Sequence, residues 1–199
     1  MSDTRARILA TATRQLLDRG YAAFTVASVR EELRLSSGSM FHAYPSKAAL
    51  AAAVYVEGMA DYQRAAMAGL AISSDPEQTL RCLIDTHLGW VQDHPGLARF
   101  LFSTLPGEVV AEAAAPLAQR NATFYDALDR FYGRMTEAGL MGPLDRRVAH
   151  AICIGPAQEY CRQWTRDDHA AAPRELSSVL AEVALAAIRT TTALAVNNS

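Results

Sequence analysis

The sequence predicts an all-α fold: an N-terminal three-helix unit of the helix-turn-helix kind, joined by one long helix to a larger helical body, about nine helices in all. Three observations predict it. Apolar residues recur at the three- and four-residue spacing of helices throughout the 199 residues, without the alternation that marks strands. Two short helical segments meet at a tight corner near Leu35, the spacing of a helix-turn-helix. Charge is unevenly divided. The chain is −2 overall, yet residues 1–50 hold seven cations against four anions, leaving the remainder at −5. A small basic end on a neutral-to-acidic body fits a module that faces phosphates.

From about Thr4 to Arg19, Ile8, Leu9, Ala12, Leu16 and Leu17 make one apolar stripe, and Gly20 is a natural residue to end that helix. Tyr21 to Phe24 connect to a second helix, for which Thr25 is the expected cap and Val26, Val29 and Leu33 the inward face. Arg34 and Leu35 form the corner. Ser36 caps a third, short helix whose first turn, Ser37, Gly38 and Ser39, has almost no bulk, so its backbone can approach another surface closely. Met40 and Tyr44, four residues apart, face inward, while Phe41 and His42 point elsewhere. Pro45 ends the segment. In a helix-turn-helix the second helix of the pair enters the major groove, so residues 1–48 read as a DNA-binding domain.

Ser46 then caps a long helix whose first residue is Lys47, the only lysine in the chain. A cation there opposes the helix dipole by roughly 0.3–1 kcal/mol. The placement makes sense when backbone N–H groups, dipole and ammonium converge on one phosphate. The helix is expected to run from Ala48 to about Ile72, linking the DNA-binding end to the body of residues 49–199. Asp75 caps the next helix with Pro76 in its first turn, and His94-Pro95-Gly96 breaks it. A short helix over Leu97–Leu105 follows, ended by Pro106-Gly107, and then a helical stretch from about Val109 to Ala138, with an interruption expected near Pro116. Gly139 to Pro143 read as a loop. Two final helices span about Leu144–Asp167 and Pro173–Val196, the first kinked at Gly155-Pro156, and the tail at Asn197–Ser199 is expected to fray.

Several function classes find no support. There is no HExxH, no nucleophile elbow and no glycine-rich phosphate loop. Asp85 and His87 are two apart and point to different helix faces, and Cys153 and Cys161 are eight apart. An enzyme, a metal centre or a bound cofactor is therefore not expected. Three cysteines without CxxC spacing read as reduced thiols. With no export signal, and no uninterrupted apolar run near the ~18 residues that span a bilayer, the expectation is a cytoplasmic protein with no membrane partner.

The segment from Ile8 to Val54 resembles the N-terminal domain of the tetracycline-repressor (TetR) family of bacterial transcriptional regulators. The resemblance rests on the helical run into Gly20-Tyr21, on Phe24-Thr25-Val26, on Ser36 through Gly38, on the aromatic pair Phe41 and Tyr44, and on Ser46-Lys47 followed by Leu50. It implies that Ser37, Gly38 and Ser39 face base edges, that His42 lies near the DNA backbone, and that Thr25 and Lys47 grip phosphates. Small hydroxyls read bases weakly, so Phe41 or His42 on thymine methyls, DNA shape and half-site spacing would carry specificity. Four residues depart from the family pattern. Arg30 stands where alanine is usual and Arg34 where glycine is usual, so strain is expected in the turn. Phe41 replaces a tyrosine, and the hydroxyl stands instead at Tyr44.

For the remainder, the resemblance implies an effector pocket and a two-fold interface. The aromatic stripe has two readings, core packing or walls for a small, largely apolar effector. Candidate pocket residues are His87, Trp90, Phe100, Tyr125, Phe131, Met135 and Tyr160, with His87 also readable as a core or dimer-contact histidine. The last two helices are rich in small residues, and Ala151, Gly155, Leu180, Val183, Ala184 and Ala187 are candidates for a homodimer interface. The function implied is a dimeric repressor on a palindromic operator in double-stranded DNA, released by its effector. The alternative, motivated by Arg30 and Arg34, is a helical sensor or scaffold without operator binding.

Overall fold

The computed structural model describes residues 3–166 and 171–197. The elements are α1 (Asp3–Ala23), α2 (Val26–Leu33), α3 (Ser37–Ala43), α4 (Lys47–Leu70), α5 (Pro76–Asp93), α6 (Pro95–Leu101), α7 (Gly107–Glu137), α8 (Arg146–Trp164), a 3-10 turn over Pro173–Leu176, and α9 (Ser177–Asn197). No strand occurs among the described residues. Asp167, expected at the end of the penultimate helix, and the tail residues Asn198 and Ser199 lie outside them.

Contacts divide the chain into two compact units, Met1–Ala60 with Phe100–Arg120, and Asp61–Arg99 with Asn121–Ser199. The expected division at residue 48 follows the end of the helix-turn-helix; contacts place the boundary within α4. They also add a later segment to the first unit, something no local pattern reveals.

In the first unit, Ile8, Ala12 and Leu16 of α1 are buried with Phe24, Val29, Met40, Leu50 and Val54. Val109 and Ala113 from the start of α7 complete that core, with Phe100 and Leu117 packed against it. The regular first helix stops at Gly20, as its sequence position implies. Gly20 breaks it at φ 72°, ψ 165°, and a further turn continues to Ala23. Glycine fits this region because a Cβ would be strained there. Glu32 of α2 ties α1 to α2: Arg14 donates to both its carboxylate oxygens, at 2.5 and 2.6 Å, and Gln15 Nε2 donates at 2.8 Å. These bonds hold the Glu32 carboxyl below its ordinary range, the Arg14 hydrogen bond contributing most.

In the second unit, α5 packs against α8, α9 and the 3-10 turn, and α8 against α9. Leu80, Leu83, Ile84 and Leu88 of α5 are buried with Phe124, Leu128, Phe131 and Met135 of α7, Cys153 and Cys161 of α8, and Leu185 and Ile188 of α9. The bounds of α5 agree with the sequence reading, with Asp75 accepting from Gln78 N at 2.8 Å and Pro76 opening the helix. The structure differs from the sequence reading at Pro95 and Pro116. Pro95 opens α6 rather than ending a loop, because proline's fixed φ and missing N–H suit a first helical position. Pro116 lies inside an unbroken α7, and Pro156, where a kink is expected, lies inside α8. Averaged along its length, Pro173–Ala193 is long and apolar enough to cross a membrane. Charges at Arg174, Glu175, Glu182 and Arg189 interrupt the apolar run in this segment. Two of those charges, Glu182 and Arg189, pair with Arg81 and Glu77 of α5.

Candidate nucleic-acid interface

Local chemistry builds the turn between α2 and α3. Thr25 Oγ1 accepts from Ser28 N at 3.1 Å and starts α2. The helix closes with Arg34 N donating to Glu31 O at 3.1 Å and Leu35 N to Arg30 O at 3.0 Å. Arg34 is left-handed, φ 52° and ψ 43°, the one non-glycine residue with positive φ among those described. The strain expected at this position is therefore present. Ser36 Oγ accepts from Ser39 N at 3.1 Å and starts α3 at once.

Two faces of α3 differ sharply. Met40 is fully buried and so is Tyr44 at the C-cap, as their spacing implies. Arg5 lies 4.8 Å from the centroid of the Tyr44 ring, so this tyrosine belongs to the core and not to the exposed face. Ser37, Gly38, Ser39, Phe41 and His42 are all exposed, Phe41 by 57 %. A Cβ at Gly38 would meet only Ser36 Oγ, at 4.0 Å, so packing within the chain does not require glycine there. Its bareness matters to whatever approaches from outside.

The two hydroxyls on this face already have partners. Arg30 Nη1 donates to Ser37 Oγ at 2.9 Å, and Ser36 Oγ and Ser39 Oγ share a hydrogen bond of 2.9 Å. Thr25 is exposed at the start of α2 and Lys47 half-buried at the start of α4. Lys47 Nζ stands 4.4 Å from the Tyr21 ring centroid and donates to Ala22 O at 3.3 Å, while Ser46 Oγ accepts from Ala49 N at 2.9 Å. Tyr21 in turn donates its hydroxyl to Glu108 of α7, and burial followed by that bond pushes the phenol up to about 12. The exposed tip of α3 and the capped helix starts at Thr25 and Ser46 are thus each built by local hydrogen bonds. Sequence reasoning missed that Arg30 reaches the tip of α3. The signal was present, since a long cationic side chain stood where a small one is usual.

The candidate effector residues are placed as follows. In the second unit, His87 is buried, its Nδ1 2.9 Å from Tyr62 Oη, and Tyr62 stacks edge-on against Trp90. Burial, with the nearby His150 adding to it, pushes His87 down to about 4. Trp90 Nε1 donates to Asp61 at 2.9 Å. Phe131 and Met135 are buried, Tyr125 is partly exposed with Arg146 over its ring, and Tyr160 donates to Ala171 O at 2.6 Å. Phe100 belongs to the first unit, edge-on to Tyr55. A groove of 440 Å3 in the first unit, walled by Tyr44, Val56 and Arg120 among others, takes no wall from these seven residues. Nor does one of 620 Å3 in the second unit, bordered by Tyr132, Met141 and Arg146. Of the candidate dimer residues, Ala184 turns inward and is buried against its own chain. Ala151 and Val183 are exposed, and Gly155, Leu180 and Ala187 half-buried.

Residues 8–54 match the family model described as bacterial regulatory proteins, tetR family. Among solved structures, a regulatory protein of the tetR family from Rhodococcus RHA1 is 22 % identical with a TM-score of 0.72, the match covering 94 % of this chain and 98 % of that one. The fatty acid degradation regulator FadR from Bacillus halodurans is 17 % identical with a TM-score of 0.75, covering 93 % and 96 %. FadR from Bacillus subtilis, solved in complex with stearoyl-CoA, is 17 % identical with a TM-score of 0.75, covering 92 % and 98 %. No match is found among curated protein sequences. At these identities the structural likeness speaks for the fold, and the family model for the N-terminal segment. Residues 8–54 are thus similar to the family described as bacterial regulatory proteins, tetR family, and the chain as a whole has the fold of solved regulators of that family.

Proposed function

We propose that the protein is a homodimeric transcriptional regulator that binds a palindromic operator and acts as a repressor released by a small, largely apolar effector. The observation that carries this reading is the two-faced α3: Met40 and Tyr44 are locked inside while a bare Ser37-Gly38-Ser39 tip and an exposed Phe41 face outward. A seven-residue helix exposing so little bulk gains nothing from solvent, but it fits into a major groove. Thr25 and Lys47 are assigned to phosphates on either side. Residues 1–48 serve as the DNA-binding domain and 49–199 as the effector-binding and dimerisation domain, with α4 as the link.

Two observations support the finer parts. Val148 of α8 and Val179 and Val183 of α9 are exposed, as a pairing surface would leave them in one protomer. Two copies are needed if recognition helices are to reach successive major grooves ~34–36 Å apart. The apolar class of effector is supported by the aromatic interior of the second unit and by the stearoyl-CoA bound to the Bacillus subtilis FadR. Trp90, Phe131 and Met135 are buried, so such a ligand enters by displacing core contacts.

Fluorescence anisotropy with duplexes from the DNA flanking the protein's own gene tests the reading. Binding by two protomers per site is expected, falling steeply with salt: roughly 10³–10⁵ between 50 and 200 mM if six to ten phosphates are contacted. An acyl-CoA or similar amphiphile that acts as effector should lower affinity about 5- to 150-fold. A folded protein that ignores every duplex at low salt would favour the sensor or scaffold reading instead.

A further inference from the structure

The tip of α3 lacks any side chain that pairs bidentately with a base, since Ser37, Ser39, Phe41 and His42 offer at most single contacts. The guanidinium of Arg30 lies at that tip. It reaches across from α2, and Nη1 donates to Ser37 Oγ at 2.9 Å. Residues at the N-terminal end of a recognition helix are those that meet base edges, and Ser37 is the first residue of α3. Arg30 Nη2 also lies 3.4 Å from Glu31 Oε1, a long contact between exposed groups and therefore a weak one. An arginine has five N–H donors in a planar fork. Both contacts together leave one donor on each of its three nitrogens, enough for the parallel pair that guanine O6 and N7 accept. Ser37 accepts from Arg30, so its own O–H remains able to donate to an acceptor in the groove.

We propose that Arg30 is the specificity-determining residue of this interface, reading a guanine through O6 and N7, and that Ser37 is its positioning residue. The proposal rests on the DNA-binding reading above and gives it a chemistry: each operator half-site contains a G·C pair facing the start of α3. A phosphate role is less consistent with the geometry, because Arg30 is held at the tip by Ser37 and the flanks are supplied by Thr25 and Lys47.

The test is selection of duplexes from a randomised pool with the full-length protein, followed by affinities at the selected site and at a non-specific duplex. The wild type should enrich one guanine per half-site; replacing that base pair should weaken binding about 5- to 150-fold, and 7-deazaguanine, which removes N7 alone, should weaken it less. Arg30→Ala should lose the preference at that one position and keep its preferences elsewhere. Arg30→Lys keeps the charge without the planar fork, so it should keep a weaker guanine preference than the wild type while the salt slope stays unchanged. Ser37→Ala should show a smaller loss at the same position. Arg30→Lys also guards against a fold defect in Arg30→Ala, with thermal unfolding of each variant as the control. If Arg30→Ala weakens all duplexes equally and lowers the salt slope by about one, Arg30 is a phosphate contact and the proposal is overturned. A selected site whose guanines do not depend on Arg30 also overturns it, while leaving DNA binding itself standing. Failure of the wild type to select any site defeats both.

Discussion

Replacing Arg34 with glycine should stabilise the helix-turn-helix. The residue sits at φ 52°, ψ 43°, where its Cβ crowds the adjoining carbonyl. That conformation costs an L-residue about 1–2 kcal/mol. Glycine removes the cost but gives the unfolded chain more freedom, a penalty of roughly 0.4–1 kcal/mol. The net expectation is a gain of about 0.5–1 kcal/mol. Arg34→Ala is the control, because it removes the charge and keeps the Cβ. The most local readout is amide exchange at Leu35, whose N–H is bonded to Arg30 O across the turn at 3.0 Å. Its protection in Arg34→Gly should exceed that in Arg34→Ala about two- to fivefold, the factor equivalent to that free energy. Equal protection in the two variants, or a lower value for the glycine, would refute the strain argument.

Lys47→Ala should weaken binding to all duplexes alike and lower the salt slope by about one, measured by anisotropy at several salt concentrations; a change confined to one sequence would contradict a phosphate role. His87 makes stability depend on pH. Its folded value of about 4 lies below the ordinary 6.5, so between those limits only the unfolded chain takes up the proton. Stability is full above about pH 6.5 and declines as pH falls, by about 3 kcal/mol in total by pH 4. Urea midpoints at pH 7 and pH 4.5 should converge more for His87→Gln than for the wild type, and an equal decline would rule out this origin. Val183, 47 % exposed on α9, is a test of dimerisation: Val183→Asp should sediment as a folded monomer, whereas an intact dimer would locate the interface elsewhere.

Much of the candidate interface and of the helix bounds was legible because the determinants are local. Thr25, Ser36 and Asp75 cap the helices their side chains suggest, and Met40 and Tyr44 turn inward by spacing alone. What stayed hidden depended on partners distant in sequence or on tertiary context. Pro116 resembles a helix breaker, yet α7 continues through it. The aromatic stripe of α7 admits two readings, and Phe131 and Met135 are buried, as either core packing or the wall of a closed pocket would have them. Ala184 and Val183 are neighbours on a small-residue helix, and only packing against the rest of the chain decides which points outward. The Arg30–Ser37 bond joins two residues whose proximity depends on the turn between them.

The involvement of Val109, Ala113 and Phe100 in the first unit's core has a practical consequence for modular engineering. A chimera made by cutting after the helix-turn-helix and grafting it onto another protein's body would leave the Tyr21 hydroxyl without its Glu108 carboxylate and part of α1 and α4 uncovered. Grafts that carry Phe100–Arg120 along with the amino-terminal sixty residues preserve that shared core, so the transplantable piece is discontinuous in sequence.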